Sequence, residues 1–483
     1  MLLLLSIGAL LVHGYHPYVE DAEIYLPGVE KLLHPELFPF NAEFFQSHAH
    51  LTLFPNLIAA SVRITHLPLD FALFFWDLLS IFLLLFACWE LSGKCFSDVK
   101  ARWAGVGLVA ALFTLPVAGT SLYIMDQYIN PRNLTAFAGV LAVARVLDRK
   151  YLHALIILVG AAAFHPLMSV FAMFYCTLLV GMRWLDERSP ADKSAHMNYA
   201  PVAAALPFGL TFGRPSAAYH HVAISHSYFY LTRWEWYEWI GAVAPIAVLW
   251  WFSRLARKEN KYNLDLMCRA LIPYLVVNIA AALVLCLPVF ESTARLQPMR
   301  SLYLLYVLMI LFAGGFLAEH LLKGRTWRWM ALFVPLCAGM FIGQRALFPA
   351  SPHIEWPGVA PKNPWVQAFV WIRNNTPVDA VFALDPNHME LDGEDENGFR
   401  AIAERSMLAD AVKDSGAVTM FPAIAETWLD QVNAQQGWEK FQLTDFRRLQ
   451  QRYGVNWVVV KPPGVAGLSC PYRNQTVAVC SLP

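Results

Sequence analysis

The sequence predicts an α-helical polytopic membrane protein of about eleven transmembrane helices with a small C-terminal α/β extracytoplasmic domain. Three observations predict this. Of 483 residues, 57% are hydrophobic and 15% charged, and the mean hydropathy is +0.42, far from an average soluble domain. Apolar stretches recur as far as residue 347, many close to the length of about 20 residues that a span needs. Beyond it the chain turns polar, and helix-like and strand-like segments alternate. Lys+Arg and Asp+Glu balance at 36 each, so no overall field draws nucleic acid, and that class of partner is excluded.

The apolar stretches run over residues 1–11, 71–91, 104–124, 134–147, 151–164, 167–185, 200–212, 239–251, 266–289, 302–322 and 329–347. The first lacks a basic leader and a small-x-small cleavage site, so it reads as a span rather than a signal peptide. Residues 51–64 are apolar too, but short and interrupted by Pro55 and Arg63, which predicts an amphipathic helix lying at the interface. Basic residues of short loops stay in the cytoplasm. One alternating set of loops carries Lys94, Lys100 and Arg102, then Arg149 and Lys150, Arg183, Arg188 and Lys193, Arg254 to Lys261, and Lys323 to Arg328. The other set carries fewer: Lys31 and Arg63, then Arg132, Arg214 and Arg233, and Arg295 and Arg300. With residues 51–64 not crossing, the N-terminus is cytoplasmic, residues 12–70 form a large first external loop, residues 1–348 make the membrane domain, and 349–483 lie outside an inner (plasma) membrane.

In that last part PWVQAFVWIRNNTP reads as an amphipathic helix stopped by Pro377, DAVFALDP as a short strand, and LTDFRRLQQRYGVNWVVVKPP as a helix, a Gly454 stop and a β-branched strand. The alternation predicts a small α/β domain. Six of eight cysteines sit in or beside apolar segments as soft packing groups, whereas Cys470 and Cys480 flank a turn with a spacing that suits a hairpin-closing disulfide outside the cytoplasm.

The residues able to carry chemistry fall in the external loops. The run HPYVEDAEIYLPG places Glu20, Asp21 and Glu23 directly after an apolar segment, at a depth where ionised groups are costly and usually have a task. Glu20 and Asp21 read either as a solvated helix N-terminal pair or as a general base or metal-bound carboxylate. Asp126, in MDQYINPRN, either pairs with Arg132 or joins Asp21 around a cation or acceptor. Arg295 and Arg300, in FESTARLQPMR, match the oxygens of a lipid phosphate or diphosphate. His48 and His50 form a His-x-His pair without the spacing of a strong metal site, so interfacial hydrogen bonding competes with metal or acceptor binding. In TRWEWYEW, Trp234, Trp236 and Tyr237 read as an aromatic belt or as a stacking platform for a sugar or prenyl chain.

The long first external loop with acids after the first span and an interfacial helix, the second acid at the start of the second external loop, and the polar α/β domain after the last span together resemble the C-type membrane glycosyltransferases. That superfamily includes protein mannosyltransferases, oligosaccharyltransferase catalytic subunits and aminoarabinose transferases. The resemblance is architectural and spans most of the chain. It implies that Asp21, or Glu20, is the catalytic base or acceptor-binding acid, that Asp126 contributes to a metal or acceptor site, and that Arg295 or Arg300 binds the donor phosphate. A divalent cation is the cofactor such acids would take. The implied partners are membrane lipid, a polyprenyl-phosphate-linked sugar, and an acceptor glycan, lipid or protein. Neither loop contains Asp-x-Asp, and the C-terminal part contains no Trp-Trp-Asp, which leaves sugar, acceptor and metal open. Two other functions fit the same composition. A lipid or solute transporter or flippase predicts broken helices and an inverted repeat, and a non-catalytic assembly factor would keep the scaffold without the chemistry.

Overall fold

The structure is a computed structural model that describes residues 1–188 and 215–483. The expected span at 200–212 and the loop residues Lys193 and Arg214 lie outside the described residues. The chain opens with α1 (Leu2–His13), α2 (Ala22–Leu33), α3 (Glu43–Ala49), α4 (Phe54–Thr65), α5 (Leu69–Cys95), α6 (Val99–Ala111), α7 (Pro131–Leu147), α8 (Tyr151–Ala162) and α9 (Pro166–Glu187). It continues with α10 (Ala217–Ser225), α11 (Trp236–Lys258), α12 (Tyr262–Leu285), α13 (Leu302–Leu317) and α14 (Thr326–Leu347).

Among the described residues six helical segments are long and apolar enough to cross a membrane: α5, α9, α11, α12, α14 and the run Pro288–Leu322 that contains α13. The hydropathy reading expects about eleven. Part of the difference has a local cause. The apolar stretch 104–124 stops being helical at Ala111, and the remainder, with Pro116, forms a loop at the end of the bundle. Others remain helical but short, as α1 and α8 with 12 residues each.

Packing sets α13 at the centre, nearly all buried, whereas α14 exposes almost every side chain. The α6–α13 crossing is made by small residues. A Cβ added at Gly314 would stand 2.5 Å from the Ala104 carbonyl oxygen, and one at Gly105 would stand 2.7 Å from the Leu311 carbonyl oxygen. Close backbone approach of this kind is how helices associate in lipid, where no hydrophobic force acts between them. Gly314→Val is therefore expected to destabilise the bundle by about 1–3 kcal/mol through overpacking, read as a lower midpoint of thermal aggregation in detergent.

The basic loop set gathers at one end of the bundle. There Lys94 pairs with Asp148 at 2.7 Å, Asn263 donates to the Lys94 carbonyl at 3.0 Å, and Arg269 pairs with Asp186 at 2.5 Å. The polar first loop, residues 112–130, α10 and the C-terminal part occupy the other end. Residues 51–64 contribute α4, which lies against α2 and α5 and buries Phe54, Pro55, Ile58 and Ala59.

The C-terminal part is built on α15 (Pro364–Asn375), α16 (Phe399–Ala403), α17 (Lys413–Met420), α18 (Ala425–Ala434) and α19 (Leu443–Tyr453). Its strands are β1 (Val381–Ala383), β2 (Ser406–Met407), β3 (Trp457–Val460), β4 (Ser469–Arg473) and β5 (Ala478–Ser481). They form one sheet in the order β2-β1-β3-β5-β4, parallel from β2 to β3 and antiparallel beyond. Strand alternation sends Phe382, Val459 and Val479 to the face covered by α15, and Val381, Val458 and Cys480 to the face covered by α19. The predicted helix, strand, helix, strand order is present, with Gly454 ending α19 at φ 75°. A disulfide joins Cys470 to Cys480 across β4 and β5.

The first loop is zipped to this domain by backbone hydrogen bonds. Tyr15 N–H donates to the His353 carbonyl at 3.1 Å, Glu355 N–H to Tyr15 at 2.9 Å, Gly398 N–H to Tyr18 at 2.8 Å and Glu20 N–H to Glu396 at 2.9 Å. The acids of the first loop are thereby held under the C-terminal domain.

Candidate functional site

A cavity of about 550 Å³ opens between the first loop, the 112–130 loop, α10 and α17. Its polar lining includes Glu20, Asp21, Asp126, Arg132, Arg300, Glu396 and Lys413. Asp21 stands at the N-cap of α2, yet its carboxylate makes no capping bond. Its backbone N–H donates to the Tyr128 hydroxyl at 3.2 Å, which leaves the carboxylate for the cavity. Glu20 beside it is left-handed at φ 58°, as Glu396 is at φ 59°. Non-glycine residues held in this region carry strain that the surrounding structure must offset, a common feature of functional sites.

Lys413 comes from the N-terminus of α17. The Asp410 carboxylate accepts the backbone N–H groups of Val412 at 2.8 Å and Lys413 at 2.5 Å, capping the helix and aiming the lysine. Its ammonium pairs with Glu20 and lies 3.5 Å from Asp21 Oδ1. On the other wall Asp126 pairs with Arg132 and accepts from Asn130 Nδ2 at 2.5 Å. Local sequence explains that arrangement. Asn130 caps α7 by accepting the Asn133 N–H at 2.8 Å, and Pro131 fills the first helical position. Asn133 Nδ2 then donates to the carbonyls of Asp126 at 3.2 Å and Tyr128 at 3.0 Å, folding the loop back over the helix start.

The chamber leads on. Asp21, Ile24, Tyr228, Arg300 and Gly416 also line a smaller cavity of about 160 Å³, together with His48, Thr52, Gln297 and Arg295. Leu51, Leu167, Arg295 and Met420 pass from this one to a third, of about 300 Å³, whose remaining walls are Leu296, Phe421, Pro422 and Ala423. A charged chamber, a smaller cavity that we call the passage, and an apolar groove thus adjoin through shared walls, and Asp21 and Arg300 belong to the wall between the first two.

Electrostatics sharpen the picture. Burial among protein atoms raises the Asp21 carboxyl above its ordinary value, and Asp126 adds to this, while Arg300 and Arg132 oppose it. Burial pulls the Lys413 ammonium down to about 7, and the Glu20 carboxylate against it works in the other direction. Lys413→Met removes a positive charge close to Asp21. The acid limb of the activity profile is then expected to move to higher pH by about one unit or more, measured as rate against pH.

Directly behind α2 lies a second, fully buried set. Arg400 donates to Asp414 at 2.7 and 3.0 Å and to Glu23 at 3.1 Å, with Asp410 at 3.8 Å. Glu23 also accepts the backbone N–H groups of Arg400 at 3.1 Å and Ala401 at 3.2 Å. Gly398 permits this approach, since a Cβ there would stand 2.5 Å from Glu23 Oε2.

Of the residues expected from sequence, Asp21, Glu20, Asp126, Arg132 and Arg300 line the chamber, and Arg295 and His48 line the spaces that continue from it. His50 is exposed and lines none of the three cavities. The aromatic trio does not form a platform here. Trp234, which precedes α11, is buried against Gly119, while Trp236 and Tyr237 at the start of that helix are 72% and 58% exposed on the outside of the bundle. Sequence reading missed Lys413, Glu396 and Tyr228. The Asp410 cap before Lys413 is a legible helix start, but nothing local points α17 at the first loop.

Oxygen donors of these acids would suit a hard divalent cation. Glu20 and Asp126 are already committed to Lys413 and Arg132, and among the described residues the one group of acids and histidines with ligand atoms within 4.8 Å of one another is Glu259, Glu319 and His320. That group stands at the opposite end of the bundle, and Lys261 pairs with both of its glutamates. The chamber acids do not form a ready metal set.

No protein-family model and no curated protein matches the chain. Among solved structures, the chain is similar to the Archaeoglobus fulgidus oligosaccharyltransferase in its apo form, with 12% identity, a TM-score of 0.45, and coverage of 95% of this chain and 69% of that one. It is also similar to the archaeal oligosaccharyltransferase AglB from Archaeoglobus fulgidus in complex with an inhibitory peptide and a dolichol-phosphate, with 10% identity, a TM-score of 0.47, and coverage of 95% and 68%.

Proposed function

We propose that this chain is a membrane glycosyltransferase that moves a sugar from a polyprenyl-phosphate donor to an acceptor on the extracytoplasmic side. The observation that carries the proposal is the succession of adjoining charged chamber, passage and apolar groove, with Asp21 and Arg300 in the wall that chamber and passage share. A prenyl chain needs apolar walls, its phosphate needs a guanidinium, and an acceptor hydroxyl or amide needs a base. Groove, passage and chamber offer these in that order. The side is argued from the basic loops gathered at the far end of the bundle, which are retained in the cytoplasm.

In the proposed reaction the acceptor enters the chamber beneath α17 and its proton passes to Asp21 as its oxygen or nitrogen bonds to the anomeric carbon. The bond from that carbon to the phosphate oxygen breaks with its electron pair, and the configuration inverts. Arg300, with Arg295 behind it, offsets the charge that develops on the leaving phosphate, a fixed electrostatic contribution. Lys413 sits closer to Glu20 than to Asp21, whose Oδ1 it reaches at 3.5 Å, and Asp21 also lines the passage, so the base role falls to Asp21.

The test is reconstitution of the full chain in liposomes with a radiolabelled polyprenyl-phosphate sugar. The expected result is chain-dependent loss of label from the lipid with release of polyprenyl phosphate. Flipping of the lipid with the label still attached would overturn the transferase reading in favour of transport.

A further inference from the structure

Between α14 and α15 runs Trp356-Pro357-Gly358-Val359-Ala360-Pro361, a segment without a charge, followed by Lys362. Val359 N–H donates to the Trp356 carbonyl at 3.2 Å, with Pro357 and Gly358 between them and Gly358 at φ 76°. Proline followed by a glycine of positive φ is the signature of a type II turn. This turn presents its large apolar side chains outward: Trp356 is 49% and Val359 64% exposed. The exposure is part of a larger patch. Trp356 packs on Phe74 with ring centroids 5.7 Å apart, and a Cβ on Gly358 would stand 3.5 Å from the Phe71 ring. Phe71 and Phe75, on one face of α5, are both exposed and continue the patch along the span. A contiguous apolar patch of this kind marks an interaction surface, whereas single exposed apolar residues do not.

The length of α5 says what covers it. Its 27 residues reach about 40 Å, more than a hydrocarbon core of about 30 Å, which about 20 residues cross. Glu90 and Lys94 pair with Arg145 and Asp148 at the basic end, and counting about 20 residues back from Glu90 arrives at Phe71. Phe71 then stands where hydrocarbon gives way to headgroups, and the turn packed on it lies in the headgroup layer. Tryptophan favours that layer, and a flanking lysine reaches its charged edge. The Trp356 indole N–H and the Lys362 ammonium have no hydrogen-bond or ion-pair partner among the described residues.

We infer that the Trp356–Val359 turn, packed on Phe71 and Phe74, is a membrane-surface anchor that seats in the lipid headgroups at the end of the bundle opposite the basic loops. It fixes the height of the C-terminal domain above the bilayer. Glu355, next in the chain, donates its N–H to the Tyr15 carbonyl at 2.9 Å, so the anchor is tied to the loop that carries Asp21. The inference stands on the spans and the turn, independently of the transferase reading.

The experiment places a nitroxide on the full chain in phosphatidylglycerol nanodiscs through Val359→Cys, or through Ala360→Cys should the first variant fail to fold. The half-buried Cys286 and Cys337 are changed to Ala. Collisions with oxygen, which enters lipid, and with a water-soluble nickel chelate, which does not, are compared with those of labels at Gln436→Cys, exposed on the C-terminal domain, and Ile342→Cys, exposed on α14. The oxygen-to-nickel collision ratio is expected to be at least about threefold higher than at 436 and lower than at 342. A ratio equal to that at 436 puts the turn in water and overturns the inference. Low collision with both reagents means a cover of protein, from a second copy or a partner, and overturns it as well. Trp356→Asp in the folded, labelled chain is expected to bring the ratio down to that at 436, because a carboxylate favours water over the headgroup layer. An unchanged ratio in that variant counts against anchoring by this turn.

Discussion

Asp21→Asn is expected to lower sugar transfer by about 10²- to 10⁴-fold, the range that a positioned general base contributes, with the chain still folded and lipid binding kept. The fold should tolerate the change because the Asp21 carboxylate neither caps α2 nor completes the buried set behind it, and Asn is itself a good N-cap residue. The chemistry should not tolerate it. Asp21 is the one acid among the described residues that lines both chamber and passage, whereas Glu20 and Asp126 are paired with Lys413 and Arg132. Its carboxyl is raised above the ordinary value by burial, which moves a base toward the pH where it works best. The check is the initial rate of donor consumption, with donor affinity measured alongside. Wild-type turnover in a folded Asp21→Asn chain would remove the base assignment.

Arg400→Leu is expected to cost about 3–5 kcal/mol, the loss when one partner of a buried ion pair is removed and the others stay buried. Glu23, Asp410 and Asp414 are all essentially inaccessible around it. Because Glu23 belongs to the first loop and Arg400 to the C-terminal domain, the loss should appear as undocking of the two. Limited proteolysis after residue 348 reports it, with wild-type resistance in the variant counting against the assignment.

The same set makes docking depend on pH. Burial pushes Glu23 up to about 8, against the opposing pull of Arg400, and pushes Asp414 up to about 7, from ordinary values of 4.5 and 3.8. Carboxyls raised in the assembled form bind protons more tightly there than when released. Their favourable contribution is therefore complete below the ordinary carboxylate range and is lost as pH rises through the raised values. Protease resistance of the C-terminal domain should fall between about pH 5 and about pH 8, and the Glu23→Gln chain should show a flatter profile.

Much of this protein was determined by the sequence alone, for reasons that are local or periodic. Apolar runs answer to hydrocarbon thickness, so membrane class follows from composition. Loop charges alternate, so Asp21, Asp126 and Arg300 could be assigned to one end of the bundle before any fold was seen. Gly454, Asn130 and Pro131 mark helix ends by their own stereochemistry. Tertiary structure alone decided which charges meet. Lys413 is 393 residues from Glu20 and Arg400 is 377 from Glu23, and no periodicity encodes a pairing across such distances. It also decided where the apolar run 104–124 stops being a helix and that Trp236 and Tyr237 face outward, since hydropathy counts apolar residues without saying whether lipid, a loop or a cavity receives them. The passage is the clearest instance: His48, Thr52, Gln297 and Arg300 share no motif, and only the packing of α3 against two separate turn segments brings their unpaired atoms to one space.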